Sequence, residues 1–108
     1  AQALRLIERV GDAVQEERNR ASFFDDHALL YTEAIYAAAF ERNADRALEL
    51  ARNYGKRADK QGRAAASQRL REYGDALPTG GNDLTREEID RNKAIARILA
   101  DARKAIGK

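Results

Sequence analysis

The sequence predicts an all-α protein, a four-helix bundle formed by a single domain over residues 1–108. Three observations carry that expectation. Apolar residues recur at three- and four-residue steps, and they never alternate with polar ones for more than a few positions. Ala, Leu, Arg and Glu, all strong helix formers, dominate the composition. The one proline, Pro78, stands with Gly80, Gly81 and Asn82 in the only strong loop signal of the chain.

The first helix is expected from about Gln2 to Arg18, because Leu4, Ile7, Val10, Gly11 and Val14 form a narrow apolar stripe. Glu16-Glu17-Arg18-Asn19-Arg20 is its polar exit. Ser22 suits the N-cap of a second helix, with Asp25 placed three residues on as a capping partner. From Phe23 to about Arg42 apolar residues surround most of the circumference. Phe24, Ala28, Tyr31, Ile35 and Ala38 share one side, with Leu30, Ala34, Ala37 and Phe40 beside them. A helix of this kind is expected at the centre of a bundle. Asn43-Ala44-Asp45 reads as a short turn with Asp45 as the next N-cap, and so short a connection predicts antiparallel neighbours.

Arg46 to about Tyr73 has two readings, since Gly55 and Gly62 both offer break points. At 100° per residue, however, Ala47, Ala51, Tyr54, Ala58, Gly62, Ala65, Tyr73 and Ala76 fall within one arc of about 100°. This common phase favours one long third helix, with any kink near Gly55 or Gly62, and with Gly74 as a left-handed C-terminal residue. A Gly-rich loop follows to Asp83. The last helix has the clearest start: Thr85 caps, Glu88 completes a capping box, and Leu84 with Ile89 forms a hydrophobic staple. Its inward stripe is Ile89, Asn92, Ala96, Leu99, Ala102 and Ile106, widened by Ile95 and Ile98, and Gly107 closes it.

Composition bounds the function. Ala supplies 22 of the apolar residues and leaves only 25 larger ones. Full burial contributes roughly 1.5–3 kcal/mol for each, whereas ordering costs about 1.5 kcal/mol per residue. So thin a core predicts a homo-oligomer or a partner chain. With no Cys, disulfides, thiolate metal sites and Cys nucleophiles are excluded. No apolar run approaches the ~20 residues of a membrane span. The start Ala1-Gln2-Ala3 reads as a processed, trimmed or excised chain, and it fits the cytoplasm as well as a periplasmic or secreted location after processing.

Catalytic chemistry is poorly supplied. The serines are Ser22 and Ser67 and the one imidazole is His27, so a triad would need His27 as base, and no nucleophile-elbow glycines flank either serine. Asp25, Asp26 and His27 are metal-ligand types, but consecutive helical residues point in different directions and cannot converge on one ion. A di-iron bundle needs two Glu-x-x-His pairs, which a single His cannot supply. Glu33 beside Tyr36 reads as a solvated acid or an Arg partner. Gly80-Gly81 is a turn, because no phosphate-loop pattern follows. No catalytic residue, metal or cofactor is expected.

Charge distribution carries the functional signal. Residues 1–51 hold 6 basic and 10 acidic groups, residues 52–71 hold 7 and 1, and residues 72–108 hold 7 and 7. On a continuous helix Arg52, Lys56, Arg57, Lys60, Arg63 and Arg71 lie within about 140°, opposite the Ala/Tyr face. Like charges at successive i,i+4 positions cost a few tenths of a kcal/mol each, which leaves three readings: nucleic-acid phosphates offset them, the acidic half of this chain or of a second copy does, or the face is simply solvated. Ala58, Gly62 and Ala66 form a small-residue face for close helix packing, inside the bundle or between subunits. The expected function is a non-enzymatic protein–protein interaction module: an adaptor, a regulatory subunit or an oligomer-forming domain. The alternative is a nucleic-acid-binding protein that applies the basic face of residues 52–71 to phosphates.

Overall fold

Caps and turns set the helix boundaries in a computed structural model that describes residues 2–12, 27–81 and 83–107. Five helices and no strand are found among the described residues: α1 (Gln2–Asp12), α2 (Ala28–Phe40), α3 (Ala44–Arg57), α4 (Lys60–Ala76) and α5 (Arg86–Gly107). The all-α expectation therefore holds. The expected single long third helix does not, because Arg46–Tyr73 is split between α3 and α4.

The break falls at Ala58-Asp59, at neither glycine. The Ala58 N–H still closes on the Tyr54 carbonyl at 2.9 Å, but its ψ of 154° turns the chain out of the helix. The Asp59 carboxylate then accepts from the Gly62 N–H at 3.1 Å and starts α4 as its N-cap. The Arg63 guanidinium donates to the Ala58 carbonyl at 2.7 Å, satisfying an acceptor that the break exposes.

Two further expectations are corrected by the same kind of local bonding. Asn43, not Asp45, caps α3, accepting from the Arg46 N–H at 3.1 Å, while Asp45 lies in the first turn, where a negative charge suits the helix dipole. Gly74 is inside α4 rather than left-handed at its end; the helix stops at Leu77, whose N–H reaches the Gly74 carbonyl at 3.2 Å. The left-handed turn after a helix is made instead by Arg42, at φ 59°. Its N–H donates to the Ala39 carbonyl at 2.9 Å and that of Asn43 to the Ala38 carbonyl at 2.8 Å, so a Schellman motif ends α2. The Ser22 cap, Val14 and the residues Phe23 to Asp26 lie outside the described residues.

The capping box of α5 forms as expected. The Thr85 hydroxyl oxygen accepts from the Glu88 N–H at 3.1 Å, and the Glu88 carboxylate accepts from the Thr85 hydroxyl at 3.0 Å and its N–H at 3.5 Å.

Helices α2 and α5 pack on each other and each packs on both α3 and α4. Tyr31 near the start of α2 and Tyr54 near the end of α3 bring their rings to 4.9 Å, so these two helices, joined by a short turn, run antiparallel. The Asn92 amide donates to the Pro78 carbonyl at 2.8 Å and Gly74 approaches Leu99, which lays α4 antiparallel to α5. Tyr31, Ile35, Leu50, Tyr54, Leu70, Ile95, Leu99 and Ile106 fill the core. Alanines 39, 47, 51 and 102 are fully buried between them, and each lets a neighbouring helix approach closely. The central position expected of α2 is shared with α5, since each of the two touches α3, α4 and the other. The apolar girdle of α2 is not all core, however: Leu30 and Phe40 are exposed. On α1, Leu4 is buried while Val10, expected on the inner stripe, is half exposed.

Candidate binding surfaces

The helix break divides the expected basic face into three groups with different surroundings. Arg57 is the first. Its Nε and Nη2 donate to the two carboxylate oxygens of Asp12 at 3.0 and 2.9 Å, a bidentate pairing, and Nη2 lies 3.5 Å from Glu8. Its Nη1 donates to the Asn53 carbonyl at 3.2 Å. The hydrogen bond to Asp12 raises the Arg57 pKa, against the opposing effect of burial. Close by, the buried Tyr31 hydroxyl is held well above its ordinary pKa, first by burial and then by the charge of Glu8. This cluster clasps α1 to α2 and α3, so Arg57 is a structural cation.

Arg52 and Lys56 form the second group, on the outer side of α3. They line a shallow depression of about 410 Å³ together with Asp45 and Glu49. Glu49 itself pairs with Arg46 at 2.9 Å. Two acids and two bases share this side, which makes it a mixed-charge surface rather than a basic one.

The third group is Lys60, Arg63 and Arg71 on α4. Lys60 and Arg71 are exposed and Arg63 is half-buried. Between Arg63 and Arg71 stands Ser67, which lines a cleft of about 260 Å³ with Ala100, Arg103 and Lys104 of α5. Among the described residues no imidazole or carboxylate borders that cleft. The contribution of α5 was not legible in the sequence, because residues 72–108 are neutral as a whole. Only the packing of α5 beside α4 brings Arg103 and Lys104 to the Ser67 side.

The small-residue face is used within the chain: Ala58 and Ala66 are 4% and 1% exposed and Gly62 is buried. A different apolar surface is open. Leu29, 46% exposed, lines a groove of about 350 Å³ between α2 and α4, with Ala28, Thr32, Ala65 and Ala66 as its floor and Gln68, Arg69 and Glu72 along its edge. Arg69 is fixed there by donating to the Tyr73 hydroxyl at 2.9 Å, and Tyr73 stacks on Tyr36 of α2 at 4.6 Å. Leu6 and Val10 are exposed one turn apart on α1. Phe40 is partly covered by Arg91, whose guanidinium lies 4.5 Å from the ring centroid.

Among the described residues no group of three or more His, Asp or Glu is placed to hold a metal ion, and no helix is long and apolar enough to cross a membrane. Comparison with protein-family models, curated proteins and solved structures finds no match to this chain.

Proposed function

We propose that this chain is a non-enzymatic helical interaction module, a four-helix bundle of α2 to α5 with α1 clasped to its side, which docks a helix of another protein chain in the groove between α2 and α4. One observation carries the reading: the groove has a floor of small residues, with the Thr32 hydroxyl donating to the Leu29 carbonyl, and a polar edge. Ala28, Ala65 and Ala66 leave room for a helix to approach closely, Leu29 supplies an apolar contact, and Gln68, Arg69 and Glu72 supply a polar rim. This is the layout of protein interfaces, a desolvated centre surrounded by a wet border. The Tyr36–Tyr73 stack holds α2 and α4 at a fixed spacing, so the groove is preorganised.

A second copy of the chain is the first partner to test, given the small number of large apolar residues. Ala65 is exposed, so Ala65→Glu places a charge in the groove without entering the core. Sedimentation equilibrium over a wide concentration range is expected to show an oligomer for the wild type and a monomer for Ala65→Glu, with unchanged helicity. If the wild type is a monomer throughout, in-cell crosslinking through a photoreactive residue at position 65 is expected to yield one dominant adduct. A monomer with no adduct refutes the reading.

A further inference from the structure

The flank of α4 opposite the docking groove carries a different signal. At 100° per residue Lys60, Arg63, Ser67 and Arg71 fall within one arc of about 80°, over a length of about 16 Å. Ser67 belongs to the cleft that Arg103 and Lys104 complete from α5. Five cations thus gather along one interhelical seam, drawn from segments 32 residues apart in the chain (Arg71 and Arg103). Among the described residues the one carboxylate within ion-pair range of any of them is Asp75, 3.9 Å from Arg71, with both side chains well exposed. Asp101 is exposed on α5 nearby in sequence and makes no such pair. Arg103 Nε is buried and has no hydrogen-bond partner among the described residues. The contrast with the other cations is sharp, since Arg57 is bound by two carboxylates and Arg52 and Lys56 share their surface with Asp45 and Glu49.

We infer that the seam between α4 and α5 is a binding surface for the phosphodiester backbone of nucleic acid, with Lys60, Arg63, Arg71, Arg103 and Lys104 as phosphate contacts and the Ser67 hydroxyl as a neutral donor among them. A single phosphate is too small to engage a row about 16 Å long, whereas duplex DNA presents one charge per ~1.7 Å of axis and offers several phosphates over that distance. The guanidinium of Arg103, partly withdrawn from water, gives a stronger charge-assisted bond than an exposed one. The contacts assigned here all go to phosphates, which carry no sequence information, so the expected binding is sequence-independent. This surface is distinct from the α2/α4 groove and does not depend on what docks there.

The test measures fluorescence anisotropy of a labelled 20-base-pair DNA duplex against a salt series. Five phosphate contacts give a slope of log affinity on log salt of about −4.5, or roughly a 500-fold loss of affinity between 50 and 200 mM salt. Replacing Lys60, Arg63, Arg103 and Lys104 with Gln is expected to bring the slope to about −1, while Arg52→Gln with Lys56→Gln leaves it unchanged. Gln keeps helix propensity near that of Lys and Arg. Should the quadruple variant lose its fold, Lys60→Gln with Lys104→Gln, both exposed, is expected to flatten the slope by about 1.8. Absence of duplex binding by the wild type at low salt, an unchanged slope in the seam variants, or equal loss in the α3 variant overturns the inference. Displacement of the duplex by millimolar inorganic phosphate, beyond the effect of matched ionic strength, overturns it in favour of a single-anion site.

Discussion

Gly55 and Gly74 both lie inside helices, and replacing each by Ala isolates what their surroundings contribute. The propensity gain is the same at both positions, about 0.8–1 kcal/mol. At Gly74 a new Cβ meets only Leu99 Cδ1, at 4.0 Å, an ordinary contact. Gly74→Ala is therefore expected to stabilise by about 0.8 kcal/mol. With an unfolding entropy of ~2.1 cal/mol/K per residue, that raises the melting temperature by about 3–4 °C. At Gly55 the new Cβ comes within 3.2 Å of the Ile106 carbonyl oxygen and 3.5 Å of the Ala105 carbonyl oxygen, both backbone atoms of α5. Overpacking of this kind costs about 1–3 kcal/mol, which exceeds the propensity gain. Gly55→Ala is expected to destabilise by about 1 kcal/mol. Urea and thermal unfolding of the two variants and the wild type read the order directly. A left-handed Gly74 predicts the opposite sign for Gly74→Ala, because Ala resists positive φ. Loss of stability in that variant, or equal gain in both, would refute the placement of α4 and its contact with α5.

Two other perturbations probe the clasp around Arg57. Arg57→Ala is expected to cost about 1–2 kcal/mol, at or below the lower end of the range for charged hydrogen bonds because Asp12 is about half exposed. Hydrogen exchange is expected to show faster exchange in α1 than in α5, and uniform loss across both helices would mean that α1 is not separately held. Tyr31→Phe tests the buried hydroxyl through pH. Because the folded state holds this proton above the ordinary pKa of ~10, the unfolded chain loses it first. Its stabilising contribution is present below about pH 10 and declines as pH rises above it, by up to ~1.4 kcal/mol per pH unit. Tyr31→Phe is expected to unfold less steeply with alkaline pH than the wild type, and identical slopes count against a buried neutral phenol.

How far the sequence reads through to the structure depends on the range of the interaction. The capping box of Thr85 and Glu88 was legible because its donors and acceptors lie three residues apart. The inner stripe of α5 was legible in part: Leu99, Ala102 and Ile106 are buried as expected, but Ile95, expected only at its margin, is buried too, while Ile89, Asn92 and Ala96 are half-buried. The break at Ala58-Asp59 also has a local cause, the Asp59 cap, but the shared phase of small residues on both sides concealed it. Phase is preserved because Ala58 and Gly62 both face the core across the break. Arg42 gave no terminator signal, since Gly or Asn is the usual residue at that left-handed position.

The sequence by itself determined the helical class, the strongest helix start and the sign of the charge in residues 52–71. These follow from hydrogen bonds and periodicities that span at most a few turns. Only the tertiary structure decided what each charge does. Arg57 is neutralised by Asp12, 45 residues away, and Lys60, Arg63 and Arg71 are joined by Arg103 and Lys104 from a segment that is neutral overall. The same holds for the small residues, which are consumed inside the chain, while the groove between α2 and α4 is open. Coulomb and packing energies depend on distance in space, and helices brought side by side create distances that no spacing along the chain records.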